Sequence, residues 1–345
     1  MKIVEITKND EAKYAKFVAN HPLGSVHQTL AWGEFQAKLG GRDKYWCFAV
    51  EDSKNQIVAS ALILRQTLPF KKSWLYSPRG PLADFEHPDG RAALNELLQK
   101  IQELAKQNNA VFFRFDPPLL QSQNIDWKSL HAHHAHAHYQ PENTLILDLN
   151  QSSEDLLKQM KPKGRYNIKV AQKHEVKIRV SNVKHDIAAF YNLLQQTTSR
   201  DQFSGHNQKF YEDMLAILGS QVAKLYLAEY QNKVVAGLIT TQFKDTTIYY
   251  FGASSNENRN VMAPYLLQWQ AIQDAKAAGS KYYDFLGIAP ENTDTSAHDP
   301  THPWAGVTDF KLKFGGARVD YQPAQEITYQ PLWYAIIKLI KKIRG

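Results

Sequence analysis

The chain has 345 residues, 43% of them hydrophobic, which suits two cores better than one. Its single cysteine, Cys47, excludes an internal disulfide framework and points to a reducing compartment; between Trp46 and Phe48 it reads as apolar filler rather than a nucleophile. A net charge of +7 favours an anionic partner such as tRNA, a nucleotide-linked substrate or an acidic membrane face.

No run approaches the roughly 20 apolar residues of a spanning helix. Residues 1–10 alternate charged and apolar side chains without an apolar signal core, so a cytoplasmic protein is expected. Residues 11–20 predict a first helix, ended by His21-Pro22-Leu23-Gly24. Gln28-Thr29-Leu30-Ala31-Trp32 then opens an aromatic turn and helix. Residues 45–50 and 56–64 predict a hairpin, and residues 74–77 lead into the rigid turn Pro78-Arg79-Gly80-Pro81. Leu94, Leu97, Leu98, Ile101 and Leu104 carry helical spacing over residues 91–107. A buried strand over 110–115 ends in Asp116-Pro117. Such an order predicts a layered α/β (α+β) fold with polar groups at strand ends facing a cleft.

The run His131-Ala132-His133-His134-Ala135-His136-Ala137-His138 carries imidazoles but neither cysteine nor carboxylate, and reads as an exposed biased insert rather than a metal site. Past a strand over 144–149 the pattern restarts. Helices are expected at 153–160, 186–198, 208–218 and 264–278, and strands at 223–229, 234–243, 246–252 and 282–286. This repetition implies two domains of similar architecture with a boundary near residue 147. In His302 to Gly316, Val307, Phe310 and Phe314 share one face of a short helix capped by Gly315, leaving Asp309, Lys311 and Lys313 for other faces.

Several segments could carry chemistry. Lys161 to His174 gathers Lys163, Arg165 and Lys169 around Tyr166; it suits phosphate, and a solvated helix face is the alternative. Arg200 is expected at a loop mouth, where it clamps a diphosphate or pairs with Asp201. The strand-loop-helix from Thr246 to Tyr265 is where an acetyltransferase of the GNAT type would hold the coenzyme A pyrophosphate. Aligned on Arg259, its two small-residue positions carry Met262 and Pro264; the first is bulky and the second has no N–H, so the cradle is read as lost.

Taken together, these stretches resemble the Fem family of peptidoglycan aminoacyltransferases (FemA, FemB and FemX) over nearly the whole chain. The likeness is carried by Gln28 to Trp32, Pro78 to Pro81, Arg114-Phe115-Asp116-Pro117, the basic segment, Arg200, Tyr249 to Ser254, Ala263-Pro264-Tyr265, Tyr283 to Ile288 and Phe310-Lys311 through Gly315-Gly316. With no charged heptad insert, the chain looks like the armless, FemX-like branch. The resemblance implies two GNAT-like domains in tandem. Residues 1–147 plus 317–345 would form the muropeptide acceptor side, and residues 148–316 the aminoacyl-tRNA side with a catalytic lysine.

It further implies transfer of an amino acid from aminoacyl-tRNA to a stem-peptide amine of lipid II or UDP-MurNAc-pentapeptide, by a monomer without cofactor or metal. By resemblance Lys311 stabilises the oxyanion, Phe310 shapes the acyl pocket and Arg200 holds the carrier phosphate, while Asp116 is the residue for orienting or deprotonating the amine. The family's first-domain phosphate lysine falls on Gln36, with Lys38 or Arg79 as substitutes. A substrate-contacting tyrosine falls on Phe251, with Tyr249 or Tyr250 as source of the hydroxyl. The C-terminal residues 331–344 form an apolar and cationic helix that either docks back on the first domain or rests on an anionic bilayer. A coenzyme-A-dependent N-acyltransferase and a non-catalytic RNA- or membrane-binding module are the rival readings.

Overall fold

The computed structural model describes residues 1–201, 205–291 and 298–344, with the side chains of the last helix described to Ile340. In chain order the elements are β1 (Lys2–Glu5), α1 (Glu11–Asn20), α2 (Leu30–Ala37), β2 (Tyr45–Glu51), β3 (Ile57–Leu68), β4 (Lys72–Ser77), α3 (Pro88–Gln107), β5 (Ala110–Phe115) and β6 (His133–His134). There follow β7 (Asn143–Asp148), α4 (Ser153–Gln159), α5 (Pro162–Lys173), β8 (Lys177–Ser181), α6 (Lys184–Asp201), α7 (Gln208–Leu218), β9 (Ala223–Tyr230), β10 (Lys233–Phe243) and β11 (Thr246–Ser254). The last are α8 (Ala263–Ala277), β12 (Tyr282–Gly287), α9 (Ala305–Lys311), β13 (Ala317–Asp320), β14 (Gln325–Thr328) and α10 (Pro331–Arg344).

The chain divides into two compact units, one of Met1–Glu142 with the residues from Asp320 onward, the other of Asn143–Val319. These limits differ from the expected 147 and 317 for a physical reason. Strand β7 pairs with β12, Leu147 opposite Tyr283, and β13 lies beside β7, so both belong to the second sheet.

In the first unit the sheet order is β1-β2-β3-β4-β5-β14-β6, with β4 and β5 parallel and α3 crossing between them. Helix α3 starts with Pro88 in its first turn, and His87 accepts from the Asp89 N–H. Its buried face, Leu94, Leu97 and Ile101, packs on Phe48, Ile63, Leu75 and Phe113 of the sheet. The alternate strand positions look the other way. There Trp74 stacks on Phe112 at 5.1 Å, and the Arg114 guanidinium lies 4.9 Å from the Trp74 ring centroid.

Arg114 donates to Glu326 of β14, and neither side chain is exposed. His136 Nδ1 lies 3.2 Å from the same carboxylate, and the Tyr334 hydroxyl of α10 donates to it. Burial pushes the Glu326 carboxyl up, but His136, Arg114 and Tyr334 together hold it down at about 2. The histidine run is therefore not simply an exposed insert: His133–His134 pair with β14, and His136 joins this buried cluster. The Cys47 thiol is buried and pushed up to about 12, which is consistent with filler.

The second unit repeats the scheme: sheet order β13-β7-β12-β11-β10-β9-β8, with β11 and β12 parallel and α8 crossing between them. Its core gathers Leu145, Leu147, Ile168, Tyr226, Leu238, Trp269, Ile272, Tyr283, Phe285 and Phe314. The two parallel pairs differ in one respect. In the first unit β4 and β5 stay paired to their last residues, Ser77 opposite Phe115. In the second, pairing stops at Ile248 opposite Asp284, although β11 runs on to Ser254.

Candidate active site

The opening between β11 and β12 is shaped by an irregularity in each strand. In β11 the partner of Ile239 is Phe251 and that of Thr240 is Tyr249, which leaves Tyr250 as an extra residue. Consequently Tyr249 turns to the core containing Leu238 and Tyr283, whereas Phe251 turns to the opposite face and packs on Tyr211 of α7 at 5.2 Å. In β12 the register shifts between Asp284 and Gly287, where Leu286 takes a left-handed φ of 61°. This turns the Leu286 N–H onto the Asp284 carboxylate at 2.7 Å, and the Thr144 hydroxyl donates to the same oxygen.

Helix α9 delivers a lysine to this opening. Thr308 anchors the helix, its hydroxyl accepting from the Ala289 N–H at 2.8 Å and donating to the Trp304 carbonyl at 2.7 Å. One turn on, Lys311 is 6% exposed. Its Nζ donates to the Gly287 carbonyl at the end of β12 at 2.6 Å and lies 5.8 Å from the ring centroid of Tyr249 on β11. The ammonium thus stands where the two strands have parted. Burial lowers its pKa to about 8, and the negative charge of Asp284 partly opposes that shift.

Around it Phe310 meets Tyr265 edge-on at 5.1 Å and Phe314 at 5.3 Å, forming an aromatic wall. Tyr249 is half-buried, and its removal from water raises its phenol to about 12, so it remains protonated. Lys311, Phe310 and Tyr249 are therefore brought together, Phe251 is not, and Tyr250 stands at the bulge against Phe251.

Beside α9 lies the basic segment. A Cβ on Gly164 would collide with the Lys313 carbonyl, so only glycine lets α5 pack this close, and the Lys161 N–H donates to the same oxygen at 3.1 Å. Lys163, Tyr166 and Lys169 are exposed. Arg165 is committed elsewhere: its guanidinium donates to the carbonyls of Leu157, Lys158 and Met160 at the end of α4. Lys313, which the sequence reading passed over, has its pKa lowered by burial, and the neighbouring Lys163 and Lys161 add to that shift.

Arg200 lies within the last turn of a helix rather than after one. Helix α6 runs on to Asp201, and Arg200 bonds Asp201 at 2.9 Å and Asn256 at 2.8 Å. Gln202 and Phe203, from the same stretch, lie outside the described residues. Where an acetyltransferase binds coenzyme A, Met262 takes a left-handed φ of 55° at the N-cap of α8 and Pro264 occupies its first turn. An N–H donor is therefore missing from that turn.

In the first unit Asp116 is buried, and burial raises its carboxyl to about 6. Its oxygens accept from the Tyr76 hydroxyl at 2.7 Å and the Arg79 N–H at 2.6 Å. Arg79 itself donates to the Pro141 carbonyl at 2.9 Å and lies 4.7 Å from the Tyr321 ring centroid. Gln36 is buried and accepts from Arg42, whose Nε also donates to Gln66 at 3.2 Å; Lys38 is exposed at the end of α2. The cation beside Gln36 is therefore Arg42, six positions on, a residue no sequence pattern marked. Among the described residues no cluster of three His, Cys, Asp or Glu side chains could hold a metal ion.

The chain is 24% identical over 300 residues to the UDP-N-acetylmuramoylpentapeptide-lysine N(6)-alanyltransferase of Weissella viridescens, covering 83% of this chain and 86% of that protein. It is 22% identical over 412 aligned positions to the lipid II:glycine glycyltransferase of Staphylococcus haemolyticus, covering 95% and 97%. The crystal structure of FemX superposes with a TM-score of 0.85 at 20% identity, over 98% of this chain and 100% of that one. A tandem GNAT protein from the clavulanic acid biosynthesis pathway follows at 0.55 and 10%, over 94% and 97%, and the fold is accordingly that of two GNAT-like units in tandem. The FemAB family model matches residues 9–134, 119–233 and 221–342, and the chain belongs to the FemAB family.

Proposed function

We propose that the chain is an aminoacyltransferase that moves an amino acid from its ester on tRNA to an amine of a peptidoglycan-precursor stem peptide. The observation that carries this reading is the buried Lys311 ammonium at the parting of β11 and β12. The acceptor amine attacks the ester carbonyl, a C–N bond forms and the bond to the ribose oxygen breaks. The terminal ribose hydroxyl leaves with the proton that the amine gives up.

Of the three Nζ protons, one is held by the Gly287 carbonyl, and the others serve the oxyanion of the tetrahedral intermediate. Gly287 fixes the ammonium in place, so little reorganisation is needed when negative charge develops. Phe310 and Tyr249 wall the acyl group, and the exposed Lys163, Lys169 and Tyr166 offer phosphate contacts and a stacking surface to the tRNA. On the first unit, Arg42 and Lys38 supply the positive charge for the acceptor's phosphates. Asp116 and Arg79 are positioning residues, since their polar atoms already hold the turn after β4.

The acceptor is the nucleotide-linked or the lipid-linked precursor. The chain is read as cytoplasmic, and with the lipid-linked acceptor it works against the inner face of the membrane through α10. No helix among the described residues is long and apolar enough to cross a membrane. The decisive measurement offers labelled aminoacyl-tRNA together with each precursor. Transfer by the wild type and its loss in Lys311→Ala support the proposal. Absence of transfer from tRNA together with acylation from acetyl-CoA would reject it.

A further inference from the structure

We propose that α10 and the tip of the β3–β4 hairpin form one membrane-docking surface for an anionic bilayer. This deepens the membrane part of the reading above and rests on it.

Helix α10 has two apolar faces. Trp333, Tyr334 and Ile337 are half-buried on the side toward its own unit, where Tyr334 meets Phe112 at 5.5 Å. The other side carries Leu332, Ile336, Leu339 and Ile340, which are 82%, 43%, 59% and 40% exposed. A helix that only rests on its own sheet needs one apolar stripe and offers water the remainder as polar surface. This one carries a second apolar stripe that is exposed. At the first turn of α10 the half-buried Trp333, one residue from the exposed Leu332, meets the hairpin tip, where Phe70 is 77% exposed and its ring lies 5.7 Å from that of Trp333. Lys72 closes the corner from below, its Nζ 4.9 Å from the Trp333 ring centroid. An exposed phenylalanine on a tight turn whose residues, Phe70 and Lys71, both have left-handed φ is poorly placed to serve a core.

Charge identifies the occupant. Residues 331–344 contain no Asp or Glu and carry Lys338, Lys341, Lys342 and Arg344, with Lys71 at the hairpin tip. A second copy related by a two-fold axis would bring these cations against their own images. Anionic headgroups neutralise them while the apolar side chains enter the acyl boundary, as amphipathic helices do at the interface plane. The geometry favours the lipid-linked acceptor, because a bilayer-bound enzyme meets that substrate in two dimensions.

The test is co-sedimentation of the full chain with vesicles of phosphatidylglycerol and phosphatidylcholine, or of phosphatidylcholine alone, with neither substrate present. The wild type should sediment with the anionic vesicles, more weakly at high salt, and stay in solution with the neutral ones. Phe70→Ser with Leu332→Ser, two highly exposed positions that spare the fold, should lower partitioning on the order of tenfold for each apolar side chain removed. Leu339→Glu is a second, independent probe. Both variants should retain wild-type transfer to the nucleotide-linked precursor, a readout that separates loss of docking from failure of the transferase reading. The proposal is overturned if the wild type ignores anionic vesicles, if both variants sediment like the wild type, or if ultracentrifugation shows dimerisation abolished by these same substitutions.

Discussion

The hydroxyl of Tyr249 occupies the space that a Cβ on Gly252 would need, three residues along the same strand. Glycine at 252 therefore sets how deep the ring beneath the Lys311 ammonium can lie. Gly252→Ala should push the ring toward Nζ, destabilise the protein by about 1–3 kcal/mol and slow transfer. Adding Tyr249→Phe, which removes the colliding oxygen, should recover part of the stability. Thermal melts of the two variants check this, and equal melting points for both would refute it.

Replacing Lys311 separates binding from chemistry. Lys311→Met keeps the volume and removes the charge, and transfer should fall about 10²–10³-fold. Affinity for uncharged tRNA should hardly change, since the exposed cations of α5 remain. Single-turnover rates alongside filter-binding measurements read the two effects apart.

The pH dependence follows from the lowered pKa of about 8. If the ammonium is the working form, the rate with a fully deprotonated acceptor falls as pH rises through about 8. Lys311→Arg, ionised throughout, should lose that alkaline limb. For stability the sign is the reverse of a favourable ion pair, because the folded pKa lies below the ordinary 10.5. Holding the charged form costs stability below pH 8, and the cost fades as pH rises toward 10.5. Lys311→Met should therefore be more stable than the wild type at pH 7, by up to about 3 kcal/mol.

Glu326→Ala leaves the Arg114 guanidinium buried without its carboxylate, a loss of about 3–5 kcal/mol in chemical denaturation. Because the Glu326 carboxyl is held at about 2, its contribution is present above the ordinary 4.5 and lost as pH falls toward 2. The variant should show a shallower acid limb than the wild type.

Asp116 is distinguished from a catalytic base by its partners. Its carboxyl is raised to about 6 from 3.8, so its ionisation reduces stability as pH climbs through that window. Asp116→Asn should flatten this slope. It should also leave one donor, the Tyr76 hydroxyl or the Arg79 N–H, unpaired at a cost of about 1–3 kcal/mol. The transfer rate per folded molecule at pH 7 should stay within a few-fold; a drop of a hundredfold or more would restore the base assignment.

Some of this was legible beforehand. Helix α1 spans the residues expected of it and stops where His21-Pro22-Leu23-Gly24 breaks the chain. The short helix before Gly315 was also legible, but its orientation was not. Val307, expected inside, is exposed, while Thr308 and Lys311 are buried. Periodicity ranks side chains by apolarity, so it turns a buried lysine outward just where function needs it inward. Strand β14 escaped notice for a related reason: Gln325 and Glu326 are fully buried, and the arginine that makes this tolerable lies 212 positions away. The bulge at Tyr250 sits in an unbroken run of β-forming residues and leaves no mark on composition.

Strand β14 sits between β5 and β6, although it is made after the whole of the second unit. On the ribosome, the unit begun first therefore keeps an open sheet edge at β5 until the final stretch emerges. A chain stalled or cleaved before Gln325 would release a finished second unit beside an incomplete first one, and this gives proteases and chaperones a simple way to tell whole copies from fragments.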